Sequence, residues 1–141
     1  MNLNLLKTGA KLLLPIFVVM ALWLLLRGHN APGGGFIAAL VFITGYGLYL
    51  FAYGVEASRR ILPFDPRSLI GVGLLTALFS AAWPVVWRQP FFQGMWWSWD
   101  LPGWGPLMLG TPVLFDLGVF LVVSGALMII LTSFEESRWN S

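Results

Sequence analysis

The sequence predicts an all-α integral membrane protein with four transmembrane helices and both termini in the cytoplasm. Three observations predict it. Hydrophobic residues fill 58% of the 141 positions and charged residues only 10%, whereas an ordinary soluble domain is about a quarter charged. The charges are also segregated, leaving four apolar stretches, each close to the ~20 residues that a helix needs to cross a bilayer. Finally, Lys7, Lys11, Arg59, Arg60, Arg67 and Arg138 fall on one side of a four-span layout and only Arg27 and Arg88 on the other. Basic residues favour the cytoplasmic side, which fixes the orientation.

The first span is read as Leu5 to Leu26, entered from a Met1–Lys11 segment that mixes Leu with Asn, Lys and Thr. Pro15 near its start is tolerable in a membrane helix and can kink it. Lys7 and Lys11 before an apolar run mimic a signal peptide, but the chain continues Arg27-Gly28-His29-Asn30 where a small-x-small cleavage site belongs, so a retained helix is expected. The second span covers Phe36 to Val55 and can begin as early as Pro32, with Asn30 as a cap. Gly47 and Gly54, seven residues apart, share a face that admits another helix, and Gly45 and Ala52 repeat that spacing on a roughly opposite face. A short turn-rich connection, Arg59 to Arg67, leads to the third span, Leu69 to Val86. The fourth is Val113 to Thr132.

Between the last two lies Trp87 to Pro112, crowded with Trp, Phe, Pro and Gly. Tryptophan prefers the headgroup level, so this segment is expected along the outer interface or against a partner. There is no repeat or low-complexity tract, and residues 1–141 read as a single four-span domain.

Several function classes are excluded. The net charge of +2 and pI near 9.4 come from basic residues scattered at membrane edges, which does not suit nucleic acid. Without cysteine there is no disulfide, no thiol catalysis and no Cys metal site, and a single His rules out a His cluster. No nucleophile–base pair, metal-ligand spacing or nucleotide motif is present. The chain is therefore not expected to be an enzyme or to hold a cofactor or metal.

Chemistry concentrates in two places. Arg27 to Phe36 packs an Arg, the only His, a Pro and Gly33-Gly34-Gly35 between two apolar runs. Irregular backbone at that depth persists only against protein or water, because lipid offers it no hydrogen bonds. Asp116 lies just inside the fourth span, roughly 6–8 Å from a start near Pro112. A carboxylate at mid-bilayer costs about 2.5–3.5 kcal/mol, and less near an edge. Asp116 is thus paired or protonated, and Arg27 and His29 are the groups that the topology brings to its level. Its role is either an ion-path carboxylate or a buried pair that fixes helix packing. His29 suits a proton relay, or a hydrogen bond to loop backbone. The glycines suit close backbone packing or an anion cradle, and Phe36 is expected to wedge against a neighbouring helix.

The stretch RGHNAPGGGFIAAL (Arg27 to Leu40) resembles the signature of the B-type subunit of Mrp-type (Mnh/Pha) multisubunit Na+/H+ antiporters. Gly110 to Leu131 resembles that family's closing helix, and Pro90 to Pro106 is similar to its outer loop. Ala38-Ala39 stands where the family usually has Gly-Gly, a small-for-small change that keeps the packing logic. The resemblance implies an accessory subunit of a bacterial cytoplasmic (inner) membrane complex that exchanges Na+ or K+ for protons, working only with other subunits. It puts Asp116, His29, Pro32, Gly33, Gly34, Gly35 and Phe36 on matched positions, and it implies that the subunit contributes to assembly and lines part of the cation path. The rival readings are an equivalent subunit of a membrane-bound hydrogenase or related respiratory complex, a purely structural interface subunit, and a small self-contained exporter. The exporter needs an acid near mid-bilayer in its first helix, and this chain has none there.

The topology is directly testable because the chain is free of cysteine. A Ser141→Cys variant will stay unlabelled by an impermeant thiol reagent on intact cells, and Ser98→Cys will be labelled. The opposite pattern overturns the orientation.

Overall fold

In the computed structural model, residues 3–27, 34–90, 93–103 and 105–140 are described. Their elements run α1 (Leu3–Arg27), α2 (Gly35–Tyr53), α3 (Val55–Ile61), α4 (Pro66–Val86), β1 (Trp96–Leu101), β2 (Gly105–Gly110) and α5 (Thr111–Asn140). Helices α1, α2, α4 and α5 are each long and apolar enough to cross a membrane.

Each helix end has a local cause. Gly54, at φ 92°, is the break between α2 and α3, a backbone state that side chains other than glycine rarely adopt. The hydroxyl of Ser58 then donates to the Gly54 carbonyl at 2.9 Å and holds the first turn of α3. Asp65 caps α4 by accepting from the Arg67 N–H at 3.0 Å, with Pro66 at the first helical position. At its far end α4 closes in a Schellman motif: Arg88 N–H donates to Val85 O and Gln89 N–H to Pro84 O. Arg88 takes the left-handed position at φ 60°, and a cation there complements the helix dipole.

The spans stand in a row, α1–α2–α5–α4. Glycines set the spacing. A Cβ on Gly45 would come within 2.6 Å of the Phe17 side chain on α1, and one on Gly47 would meet Leu131 of α5 at 3.4 Å. Helix α2 is therefore flanked on two sides, and over half of its span is buried, against about a fifth for the others. Gly73 and Gly118 bring α4 and α5 together: a Cβ on either would lie 2.7 Å from a backbone atom of the other helix. Gly125 repeats the approach lower down, against Pro66 and Ile70. Ile43, Tyr46, Leu50 and Met128 form the core between α2 and α5. At the end that carries the termini, Tyr53 donates to the Lys7 carbonyl at 3.0 Å and Lys7 sits over the Tyr53 ring.

The spanning part has the predicted all-α, four-helix layout, with four differences. The first concerns Trp87–Pro112, where the sequence suggests no regular structure. It contains an antiparallel hairpin, with Trp96 opposite Gly110 and Leu101 opposite Gly105. The turn uses Gly103 at φ 81°, and pairing satisfies backbone that apolar surroundings would leave bare. The second is α5, which runs on to Asn140 because a helix need not stop where the hydrocarbon does. Third, α2 begins at Gly35 and not Pro32: Gly34, at φ 114° and ψ −179°, is not helical. Finally, Gly54 is a helix break and not part of a packing face; a Cβ there would touch nothing.

The glycine contacts predict a sharp contrast. Overpacking a close contact costs about 1–3 kcal/mol, so Gly118→Ala and Gly73→Ala will lower the amount of assembled protein in membranes. Gly71→Ala, where a Cβ meets nothing within 4 Å, will leave it unchanged. Equal levels in all three variants, by quantitative immunoblot, would refute the α4–α5 contact.

Candidate functional site

The candidate site lies at the hairpin end of the bundle, where α1 ends, α2 begins, α4 ends and α5 begins. Thr111, buried at the head of α5, organises it. Its N–H donates to Met95 O at 2.9 Å, and its hydroxyl accepts from Met95 N–H at 3.0 Å. Ser80 of α4, also buried, donates from its hydroxyl to the Thr111 carbonyl. One residue thus ties the hairpin, α4 and α5 together, and its polar groups are satisfied inside an apolar protein.

Asp116 follows one turn later and is half-buried. It borders a cavity of about 160 Å³ walled by Ser80, Ala81, Gly94, Thr111, Pro112 and Phe115. At about 30 Å³ per molecule, a space of that size has room for a few waters. The opposite approach to Asp116 comes from α2. A Cβ on Gly34 would lie 3.7 Å from Asp116 Oδ2, and one on Gly35 would overlap the Asp116 carbonyl oxygen and crowd Val119. Gly34 is itself pinned to α1, its N–H donating to Leu24 O at 3.1 Å. The backbone of the glycine run therefore reaches the carboxylate level because no side chain intervenes.

Three of the residues singled out in the sequence, Gly34, Gly35 and Asp116, are brought together here. His29, Pro32 and Gly33, the proposed cap Asn30 and the side chain of Arg27 lie outside the described residues. Phe36 does not wedge against a helix of this chain: it is 57% exposed. Gly35 faces α5, and the next residue on a helix turns about 100° away from that contact.

Sequence reasoning missed Thr111 and Ser80. Thr111 was findable, since Thr before Pro at the head of an apolar run is a helix-start signal. Ser80 carries no such signal within its apolar run. On α4 near this end, Phe79, Trp83 and Trp87 form a ladder with centroids 5.4 and 6.4 Å apart. Phe79 and Trp87 are exposed, as suits anchors at a bilayer interface.

Chemically, a carboxylate on the wall of a small cavity that also carries the Ser80 and Thr111 side chains can exchange a proton or hold a hydrated cation. Among the described residues, no three acidic or imidazole side chains come together as a metal site would require.

Residues 5–129 match the family model described as a domain related to the MnhB subunit of Na+/H+ antiporter. The chain is 37% identical to the B subunit of the Na(+)/H(+) antiporter of Bacillus subtilis over 133 residues, 94% of this chain and 93% of that protein. It is 33% identical to the putative antiporter subunit mnhB2 of Staphylococcus aureus, with 94% of each chain covered. Among solved structures it is similar to a chain of the Mrp complex from Dietzia sp., with a TM-score of 0.78 and 30% identity. That likeness covers 95% of this chain but 14% of the other, a far longer polypeptide. By the extent of these matches, this four-span chain belongs to the MnhB family of antiporter subunits.

Proposed function

We propose that the chain is an accessory subunit of a bacterial multisubunit antiporter that exchanges Na+ or K+ for protons, and that it works only with partner subunits in the membrane. The observation that carries this reading is end-to-end similarity, over 94% of the chain, to a protein named as the B subunit of a Na+/H+ antiporter. The architecture supports it. A single row of four spans leaves the outer faces of α1 and α4 bare, with Leu12, Ile16, Val19, Leu75, Leu78 and Phe79 all exposed. Such a row is suited to serve as one wall of a larger assembly, and it encloses too little to form a pathway alone.

Within that reading, Asp116 is the residue assigned to the ion path, together with Gly34 and Gly35, which approach it. Support comes from the cavity that Asp116 borders and from the glycine backbone set against its carboxylate. A packing carboxylate needs only contact; a carboxylate beside a water-sized space can also exchange what it holds.

The whole reading is tested in everted vesicles and by co-purification. A tagged chain will retain the other antiporter subunits, and the purified chain alone in liposomes will show no cation/proton exchange. Asp116→Asn will keep the shape and lose the charge. Losing a hydrogen bond to a charged group is worth about ten- to a hundredfold, and exchange should fall by that order while assembly holds. Asp116→Leu will lower both. Full exchange by Asp116→Asn would reduce Asp116 to a packing device, and exchange by the isolated chain would overturn the accessory role.

A further inference from the structure

A second cleft lies at the opposite end of the described part of the molecule, and the antiport reading does not use it. It arises from unequal helix lengths. The first turn of α4 is jammed against Gly125 of α5, where a Cβ would lie 2.6 Å from the Pro66 carbonyl. Helix α5 continues for four turns beyond that point with no α4 beside it. Under the overhang, between α5, the end of α3 and the α3–α4 turn, is a cavity of about 480 Å³. That falls within the ~300–1,000 Å³ typical of small-molecule sites.

Its lining changes with depth. At the mouth stand Arg59, Arg67, Asp65 and Glu136. About one turn deeper along α5 come hydroxyls, with Tyr46 and Thr132 in contact at 3.3 Å. Met128 and Ile129 form the apolar floor, about 12 Å from Glu136 at 1.5 Å per residue. Phe64, exposed on the turn, adds an aromatic rim.

Both carboxylates at the mouth are engaged. Glu136 pairs with Arg59 at 2.9 Å, and Asp65 caps α4. The Arg67 guanidinium has no ion-pair partner among the described residues. The mouth therefore offers a cation with unused planar donors, the geometry suited to phosphate.

We propose that this cleft binds an anionic phospholipid, with its phosphate at Arg67, its glycerol and ester oxygens level with the Tyr46–Thr132 hydroxyls, and its upper acyl chain toward Met128 and Ile129. Phosphate chemistry alone would also admit a soluble phosphate. The ordered descent from charge to hydroxyl to hydrocarbon selects the lipid, because it runs toward the bilayer centre in the same order as the groups of a phospholipid. A soluble anion has no use for the apolar floor.

The probe is a photoactivatable phosphatidylglycerol, added to the whole complex in nanodiscs, with adducts mapped by mass spectrometry. Only complex that elutes at the assembled size is scored. Adducts are expected in 62–67 and 128–133. They should fall about tenfold in Arg67→Gln, the order of one charged hydrogen-bonding contact. Arg67→Lys should retain part of the labelling. Arg60→Gln, on a residue that pairs with Glu56 and does not line the cleft, should leave it unchanged. Millimolar inorganic phosphate should not compete. Undiminished labelling in Arg67→Gln overturns the proposal. An equal loss in Arg60→Gln shows a diffuse charge effect and also overturns it. Displacement by inorganic phosphate makes the cleft a soluble-anion site and overturns the lipid assignment.

Discussion

In hydrocarbon, a helix gains nothing by hiding leucine from leucine, so what holds these spans together is how closely their backbones can approach. The α4–α5 seam rests on this. Gly73 and Gly118 remove the two side chains that would otherwise hold the helices apart, and Gly125 does the same against the start of α4. Gly45 and Gly47 place α2 between α1 and α5 on the same principle. The rest of the structure inherits its positions from these contacts. Asp116 meets the glycine run because α5 is set close to α2, and Ser80 reaches Thr111 because α4 is set close to α5.

The two ends of the bundle differ in kind. At the hairpin end, the polar groups set between the elements, Thr111 and Ser80, are buried and bonded to one another, and Thr111 also bonds to Met95. At the terminal end, charges are numerous and exposed, and the pairs Arg59–Glu136 and Arg60–Glu56 lie in the range where an ion pair contributes little to stability. Glu135 is the exception: it is buried and held 3.1 Å from Arg138 one turn on. Its burial shows that α5 still packs against protein well after leaving the hydrocarbon.

The four spans were legible because charge segregation is a property of the sequence itself. Their limits were less so. Charges at Glu135, Glu136 and Arg138 mark where lipid ends, but they do not stop a helix, and α5 runs through all three. Gly54 and Gly47 share a spacing but not a role, since one is a break at positive φ and the other a contact; spacing alone carries no backbone angle. The hairpin escaped notice because its strands, Trp96–Leu101 and Gly105–Gly110, lack the polar–apolar alternation of a half-solvated strand. Of the site, Asp116 stood out as an acid in an apolar run. Its neighbours across the seam depended on which helices touch, and an unaligned sequence does not state that.

The order of the row bears on how the chain is built. Helices α1 and α2 are neighbours in sequence and in space, and so are α4 and α5, so each pair can close as a hairpin while synthesis proceeds. The contact between α2 and α5 joins residues far apart in the chain and can form only once α5 is in place. Until it does, Asp116 on α5 lacks Gly34 and Gly35 as neighbours and faces lipid from its seam side. A carboxylate at mid-bilayer would make that unzipped state costly by about 2.5–3.5 kcal/mol; near the helix end, the headgroup region can hydrate it. The place of Asp116 near the start of α5 is thus what lets a chain whose two hairpins have formed wait in the membrane for them to dock.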